Sequence, residues 1–326
     1  MINNLKLKYN IIIYMFNLTF DDTNHPSPNM AYIEGGEYDK EILFLNNDSD
    51  HTNKKKINTD DINILIENLF RTMNGKISFK TLDQLRDAII NKKEPINREL
   101  KQHYKQALKM LNKNKNKEII LNSGKFVPMF DETKERMVYM IAGMSGSGKS
   151  YYTAELCKTY HLQYPDNKII LFSNKSEDPV FDDLNYVERI LIDDELLTDQ
   201  LTLNELNQSL VIFDDVEYST NKDIDSELCR IRDLVLTQGR SYNISFIYIS
   251  HQANNYKQTR TILNECHSIT IFPQMCTRYS LNYLLNKYFG FNKDEINKIC
   301  TLPSRWVTVY KSPPFILYQN GAYLIN

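Results

Sequence analysis

The chain has 326 residues, 42% of them hydrophobic and 25% charged, with a formal net charge of -2. That length holds a sizeable core in one large or two modest domains. The near-neutral balance excludes a protein that coats nucleic acid over its whole surface, so any such contact must be local.

The longest apolar run near the start, 11–16, is far too short to span a membrane, and no small-residue cleavage site follows it. Residues 1–58 read as irregular, because Pro26, Pro28 and Gly35-Gly36 interrupt any long element, and 46–58 reads as a solvated, partly disordered linker. Three helices are predicted next. The first, 60–73, puts Ile62, Leu65, Ile66, Leu69, Phe70 and Met73 on one face. The second, 81–91, carries Leu82, Leu85 and Ile89 with Thr81 as its N-cap, and the third, 96–111, carries Leu100, Tyr104 and Leu111. Residues 59–117 therefore read as a small helical accessory region. Its last part, 92–117, has nine basic residues against two acidic ones. A solvated face is the simpler reading of that run and a nucleic-acid surface the second.

From 118 to 326 strands and helices alternate. Strands are predicted at 137–142, 168–172, 186–192, 210–213, 244–249 and 268–272, with helices at 149–160, 223–237, 277–288 and 292–300. Two short antiparallel stretches, 306–310 and 315–325, close the chain. The alternation implies an α/β domain with a mostly parallel sheet covered on both faces. Five scattered cysteines, Cys157, Cys229, Cys266, Cys276 and Cys300, form no C-x-x-C pair. They fit reduced thiols in a cytosol-like compartment. Cys266-His267 with Cys276 lacks the spacing and fourth ligand of a zinc site.

The chemistry is concentrated at 137–150, MVYMIAGMSGSGKS. An apolar strand runs into G-x-x-x-x-G-K-S and a helix start, the pattern of a phosphate-binding P-loop. Gly143, Ser145, Gly146, Ser147, Gly148, Lys149, Ser150 and Tyr151 are expected to surround the phosphates, with backbone N–H groups and the helix N-terminus turned toward the anion. Lys149 would reach the β- and γ-phosphates, and the Ser150 hydroxyl would ligate Mg²⁺. Downstream, 210–215 reads LVIFDD, a buried strand ending in paired acids. This is the Walker B arrangement: Asp214 is expected at the Mg²⁺ and Asp215 at the attacking water. Glu217 is the rival for the second role, because strand alternation puts it on the side of Asp215. The strand 245–249 ends at Ser250-His251-Gln252. Gln252 is expected to sense the γ-phosphate or orient water, ahead of Ser250 and His251. Arg240, on the loop before that strand, is placed to reach a neighbouring subunit's γ-phosphate, with Arg260 a second candidate.

With these pieces in this order, the chain resembles the genome-packaging ATPases of large DNA viruses, the poxvirus-type branch of the FtsK/HerA class. GMSGSGKS at 143–150, FSNKSEDPVFDDL at 172–184, LVIFDD at 210–215 and GRSYNISFIYISHQ at 239–252 carry the resemblance. It implies a RecA-like P-loop core, ATP as the nucleotide, a homo-oligomeric ring, and ATP-driven movement of double-stranded DNA into a capsid. It also implies capsid or other packaging proteins as partners, and a location in host cytoplasm, viral factory or virion. Arg240 best matches the arginine that such rings supply in trans. One departure is Asp215, where many relatives carry Glu.

Three other functions fit a P-loop: a small-molecule kinase, a non-motor nucleotide switch or scaffold, and a strand-separating helicase. Hydrolysis without an acceptor argues against the first, stimulation by DNA against the second, and failure to unwind a forked duplex against the third.

Overall fold

A computed structural model describes residues 16–20, 27–47, 78–90, 95, 100, 101, 103, 104, 117–198, 200–216, 221–252 and 259–325. They fall into two compact units, Met1–Leu18 with Asn46–Ile119 and Thr19–Leu45 with Ile120–Asn326. Among the described residues no helix is long and apolar enough to cross a membrane.

The described part of the first unit is small. It contains strand β1 (Phe16–Thr19) and helix α1 (Phe79–Ile90), which buries Leu82 and Leu85. The helix starts earlier than predicted, because Ser78 and not Thr81 caps it: the Thr81 N–H donates to Ser78 Oγ at 3.2 Å. Of the predicted helix 96–111, residues 100, 101, 103 and 104 are helical. The predicted helix 60–73 and most of the basic run lie outside the described residues.

In the second unit the stretch read as irregular contains two strands, β2 (Asn29–Glu34) and β3 (Ile42–Asn47). They pair antiparallel, and β2 also pairs with β5 (Lys125–Pro128), which follows the short strand β4 (Glu118–Ile120). The breakers are the cause of the misreading. Pro28 and Gly35-Gly36 do end elements, but the elements they end are six-residue strands, and both glycines take positive φ at the turn.

The large sheet holds the site. Its parallel strands are β6 (Val138–Ala142), β7 (Lys168–Ser173), β8 (Val187–Leu191), β9 (Ser209–Asp214), β10 (Ser245–Ser250) and β11 (Ser268–Ile271). Three antiparallel strands extend it: β12 (Val307–Tyr310), β13 (Phe315–Tyr318) and β14 (Gly321–Leu324). The spatial order is β14-β13-β12-β11-β6-β10-β9-β7-β8. Every residue of β6, β9 and β10 is buried, as strands covered on both faces require. The crossovers carry α2 (Lys149–Gln163) after β6, α3 (Pro179–Asp182) after β7, α4 (Lys222–Gln238) after β9 and α5 (Arg260–Glu265) after β10. Helices α6 (Arg278–Phe289) and α7 (Lys293–Thr301) precede the antiparallel end. The order puts β10 between the phosphate-loop strand β6 and the acid-bearing strand β9, so the carboxyl ends of all three meet at one place.

Candidate functional site

The loop after β6 turns tightly and is tied down on both flanks. Gly143 N–H donates to the Ser250 carbonyl at the end of β10, 3.1 Å away. A Cβ on Gly143 would stand 2.7 Å from Ser147 Oγ and 2.8 Å from the Phe272 ring, so only glycine fits. Gly148 precedes α2 with φ 109°, a left-handed conformation that frees the first helical N–H groups to face an anion. Lys149, the first residue of α2, is buried, and its Nζ donates to the carbonyls of Gly143 at 2.8 Å and Met144 at 3.2 Å. Burial lowers its pKa, and the charges of Asp215 and Asp214 oppose that shift. Ser145, Gly146 and Tyr151 are exposed, Ser147 is buried, and Ser150 is half-buried.

Asp214 ends β9, in register with Ile249 of β10 and Ser173 of β7. Its Oδ2 is buried without a hydrogen-bond partner. Burial first, then the neighbouring Asp215 charge, push its pKa up to about 6. A buried carboxylate oxygen with no donor, opposed by a second acid, fits a site for a divalent cation, and the Ser150 hydroxyl would supply the second protein oxygen.

Asp215 leaves the strand with φ 53°, so the strand alternation used to weigh Glu217 stops at Asp214. Val216 turns back into the core, and Glu217 lies outside the described residues. The Asp215 carboxylate is held from two sides: His251 Nε2 stands 2.7 Å from Oδ1 and Lys175 Nζ 3.5 Å from Oδ2. Asn174 Nδ2 donates to the Asp215 carbonyl at 3.0 Å. On its other nitrogen, His251 Nδ1 is 3.4 Å from Lys149 Nζ. An ammonium only donates, so Nδ1 accepts from Lys149, while Nε2 lies beside the Asp215 carboxylate. The ends of three strands thus bring together Lys149, which follows the loop after β6, Asp214 and Asp215 at the end of β9, and His251 after β10.

The sequence ranks Gln252 above His251, whereas the geometry puts His251 between the lysine and the acid. Gln252 is exposed, and its backbone N–H and carbonyl are engaged by the Ser250 hydroxyl. Arg240 is at the other end of the sheet. It sits in the turn Gly239–Tyr242 ahead of β10, exposed and paired with Glu135, each partner favouring the other's charged form. A six-residue strand spans about 20 Å, so Arg240 cannot reach the phosphate loop of its own chain. Arg260 is exposed at the start of α5.

Sequence reasoning missed two basic residues. Lys175 lies beyond β7 inside the 172–184 stretch, and the strand order β9-β7 is the only cue that it meets Asp215. Arg305 comes from the segment before β12: its Nε donates to the Ser147 carbonyl at 2.8 Å and its Nη2 to the Gly146 carbonyl at 3.2 Å.

Fold and loop together define an α/β protein of the P-loop fold class. Comparison with curated proteins narrows this. Protein V3 of Sputnik virophage, itself uncharacterised, is 38% identical over 208 residues, 63% of this chain and 83% of that protein. The chain belongs to the same family as this virophage protein. No family model matches it. Similar solved structures include the genome packaging NTPase B204 of Sulfolobus turreted icosahedral virus 2, at TM-score 0.40 and 13% identity, covering 57% of this chain and 98% of that one. The pCW3 conjugation coupling protein TcpA gives TM-score 0.40 and 12% identity, covering 91% and 77%. At TM-scores this low the likenesses carry no functional argument.

Proposed function

We propose that this protein hydrolyses ATP and couples hydrolysis to movement along double-stranded DNA, as a genome-packaging motor of a virus or virophage. The observation that carries the reading is the convergence of Lys149, Asp214, Asp215 and His251 at the carboxyl ends of three neighbouring strands. ATP, duplex DNA, the ring and packaging proteins as partners enter through the resemblance at 143–150, 172–184, 210–215 and 239–252. The family tie to a virophage protein supports the viral setting, in host cytoplasm, viral factory or virion.

In this reading Lys149 exchanges the carbonyls of Gly143 and Met144 for phosphate oxygens. Ser150 and Asp214 would hold Mg²⁺, which would neutralise phosphate charge when bound. Once Lys149 turns to phosphate, His251 loses that neighbour, and Asp215, with His251 and Lys175 still beside it, orients water and takes its proton. Arg240 leaves Glu135 to serve the site of the next subunit in the ring.

Phosphate release from Mg-ATP with no acceptor present tests the chemical part. Wild type should turn over, and Lys149→Ala should not, because it removes the phosphate-loop cation that reaches the β- and γ-phosphates. Transfer only when an acceptor is added would indicate a kinase. Tight binding without turnover would indicate a switch.

A further inference from the structure

Lys175 follows the end of β7 beside the two acids, and its backbone is fixed there. Its N–H donates to the buried Ser173 Oγ at 3.2 Å, and the preceding Asn174 amide donates to the Asp215 carbonyl at 3.0 Å. Arg189 of β8 ties down the next turn, donating to the Ser176 carbonyl and pairing with Asp182. The Asp178 carboxylate accepts the Val180 N–H at 3.1 Å and so caps α3.

The ammonium, by contrast, is loosely held. Its Nζ stands 3.5 Å from Asp215 Oδ2 and 3.9 Å from Asp178 Oδ2, and the side chain is 48% exposed. Both contacts are longer than a charge-assisted hydrogen bond of about 2.7–2.9 Å. An ammonium has three donors, and among the described residues Lys175 has no closer acceptor for them. We infer that Lys175 is a second phosphate-binding cation of this site, bridging the Asp215 carboxylate and the terminal phosphate of the bound nucleotide. The inference rests on the phosphate-loop reading above and adds a residue from the end of β7 to it.

Strand order and charge both support this role. The order β6-β10-β9-β7 puts the acids between Lys149, which follows the loop after β6, and Lys175, which follows β7. A phosphate chain seated on the loop and reaching toward Asp215 therefore ends between two ammonium groups. A terminal phosphate also brings negative charge up to Asp214 and Asp215, against which Lys149 sets a single positive charge. The charge of Lys175 is felt across the same space. With Lys149 it opposes the rise in the Asp214 pKa, and it adds to the lowering of the Lys149 pKa. Arg240 is at the other end of the sheet and does not supply this charge within its own chain. The flexible four-carbon stem of Lys175 lets its head shift toward a phosphate oxygen while the fixed backbone keeps it aimed.

The test is calorimetric titration with two Mg-nucleotides, ADP and β,γ-methylene-ATP, which differ by the terminal phosphate. Lys175→Met removes the charge and keeps an unbranched stem. It should bind β,γ-methylene-ATP about tenfold or more weakly than wild type and bind ADP as wild type does. Lys175→Arg, which keeps the charge, should bind both nucleotides within a few-fold of wild type. Unchanged affinity of folded Lys175→Met for β,γ-methylene-ATP overturns the inference. An equal loss for both nucleotides also overturns it, because that marks a merely structural role. If wild type binds neither nucleotide, the phosphate-loop reading fails, and this one with it. A second readout needs no substitution. Acylation of the Lys175 amine in wild type, followed by mass spectrometry, should be slowed several-fold by β,γ-methylene-ATP and not by ADP; equal labelling with both overturns the inference.

Discussion

Asp215 stands at φ 53°, with His251 on one carboxylate oxygen and Lys175 on the other. An L-residue held in that region costs of order 1–3 kcal/mol, and aspartate is among the residues that tolerate it best. The chain bends there to bring a second acid beside Asp214 without extending the strand. Asp215→Asn keeps the size and loses the basicity. We expect nucleotide affinity within a few-fold of wild type and turnover lower by about 10²–10⁴ in phosphate-release assays. Wild-type turnover in this variant would move the role to Glu217. His251→Ala removes the link between Lys149 and Asp215 and should slow turnover by about tenfold or more, beyond the effect of Gln252→Ala in the same assay. The loop glycines, Lys149, Ser150 and Asp214 are legible in sequence because their spacing is local and mechanical. Lys175 and Arg305 are not, since Arg305 reaches Ser147 across 158 residues and no local pattern announces the contact.

The elements show the same division. Strands β6, β9 and β10 are legible as apolar runs because both of their faces are buried. Strands β2 and β3 are not, because they are bounded by residues that also mark loops. The start of β6 depends on His267, whose Nδ1 accepts the Val138 N–H at 2.9 Å. Burial, with Lys134, Arg136 and Lys311 nearby, lowers the His267 pKa from 6.5 to about 4. A depressed histidine stabilises the fold while neutral. Its contribution is therefore intact above pH 6.5 and is lost as the pH falls from 6.5 toward 4, with a ceiling of about 3 kcal/mol. Asp214, with its raised pKa, acts in the opposite direction near pH 6. The comparison is therefore with His267→Asn, which keeps an acceptor and Asp214 but does not titrate at this position. Denaturant unfolding at pH 7 and pH 4.5 should show wild type losing more stability than His267→Asn. Equal losses would mean His267 is not held neutral. Arg136 works at the same end of the sheet, donating to the carbonyls of Val235 and Leu236 that close α4, which complements the negative end of that helix.

For the whole molecule, the sheet separates two arginines by function. Arg305 lies against its own phosphate loop, and Arg240, paired with Glu135 ahead of β10 at the other end of the sheet, is the residue we propose to serve another copy. Arg240→Ala and Lys149→Ala should each be inactive alone. Mixed, they should recover part of the activity, because a ring then contains intact Lys149 sites facing intact Arg240 donors. No recovery at any ratio would argue against an arginine supplied in trans. The near-neutral chain charge makes a further demand: a motor of this kind must grip DNA through a local basic surface, whose contacts weaken steeply with salt. The most direct measurement is steady-state ATP hydrolysis with and without long duplex DNA, at low and at moderate salt. A DNA-driven motor should be strongly stimulated by duplex at low salt, with the stimulation fading as salt rises. Hydrolysis indifferent to DNA at both salt concentrations would contradict the motor and leave a nucleotide-binding protein of another kind.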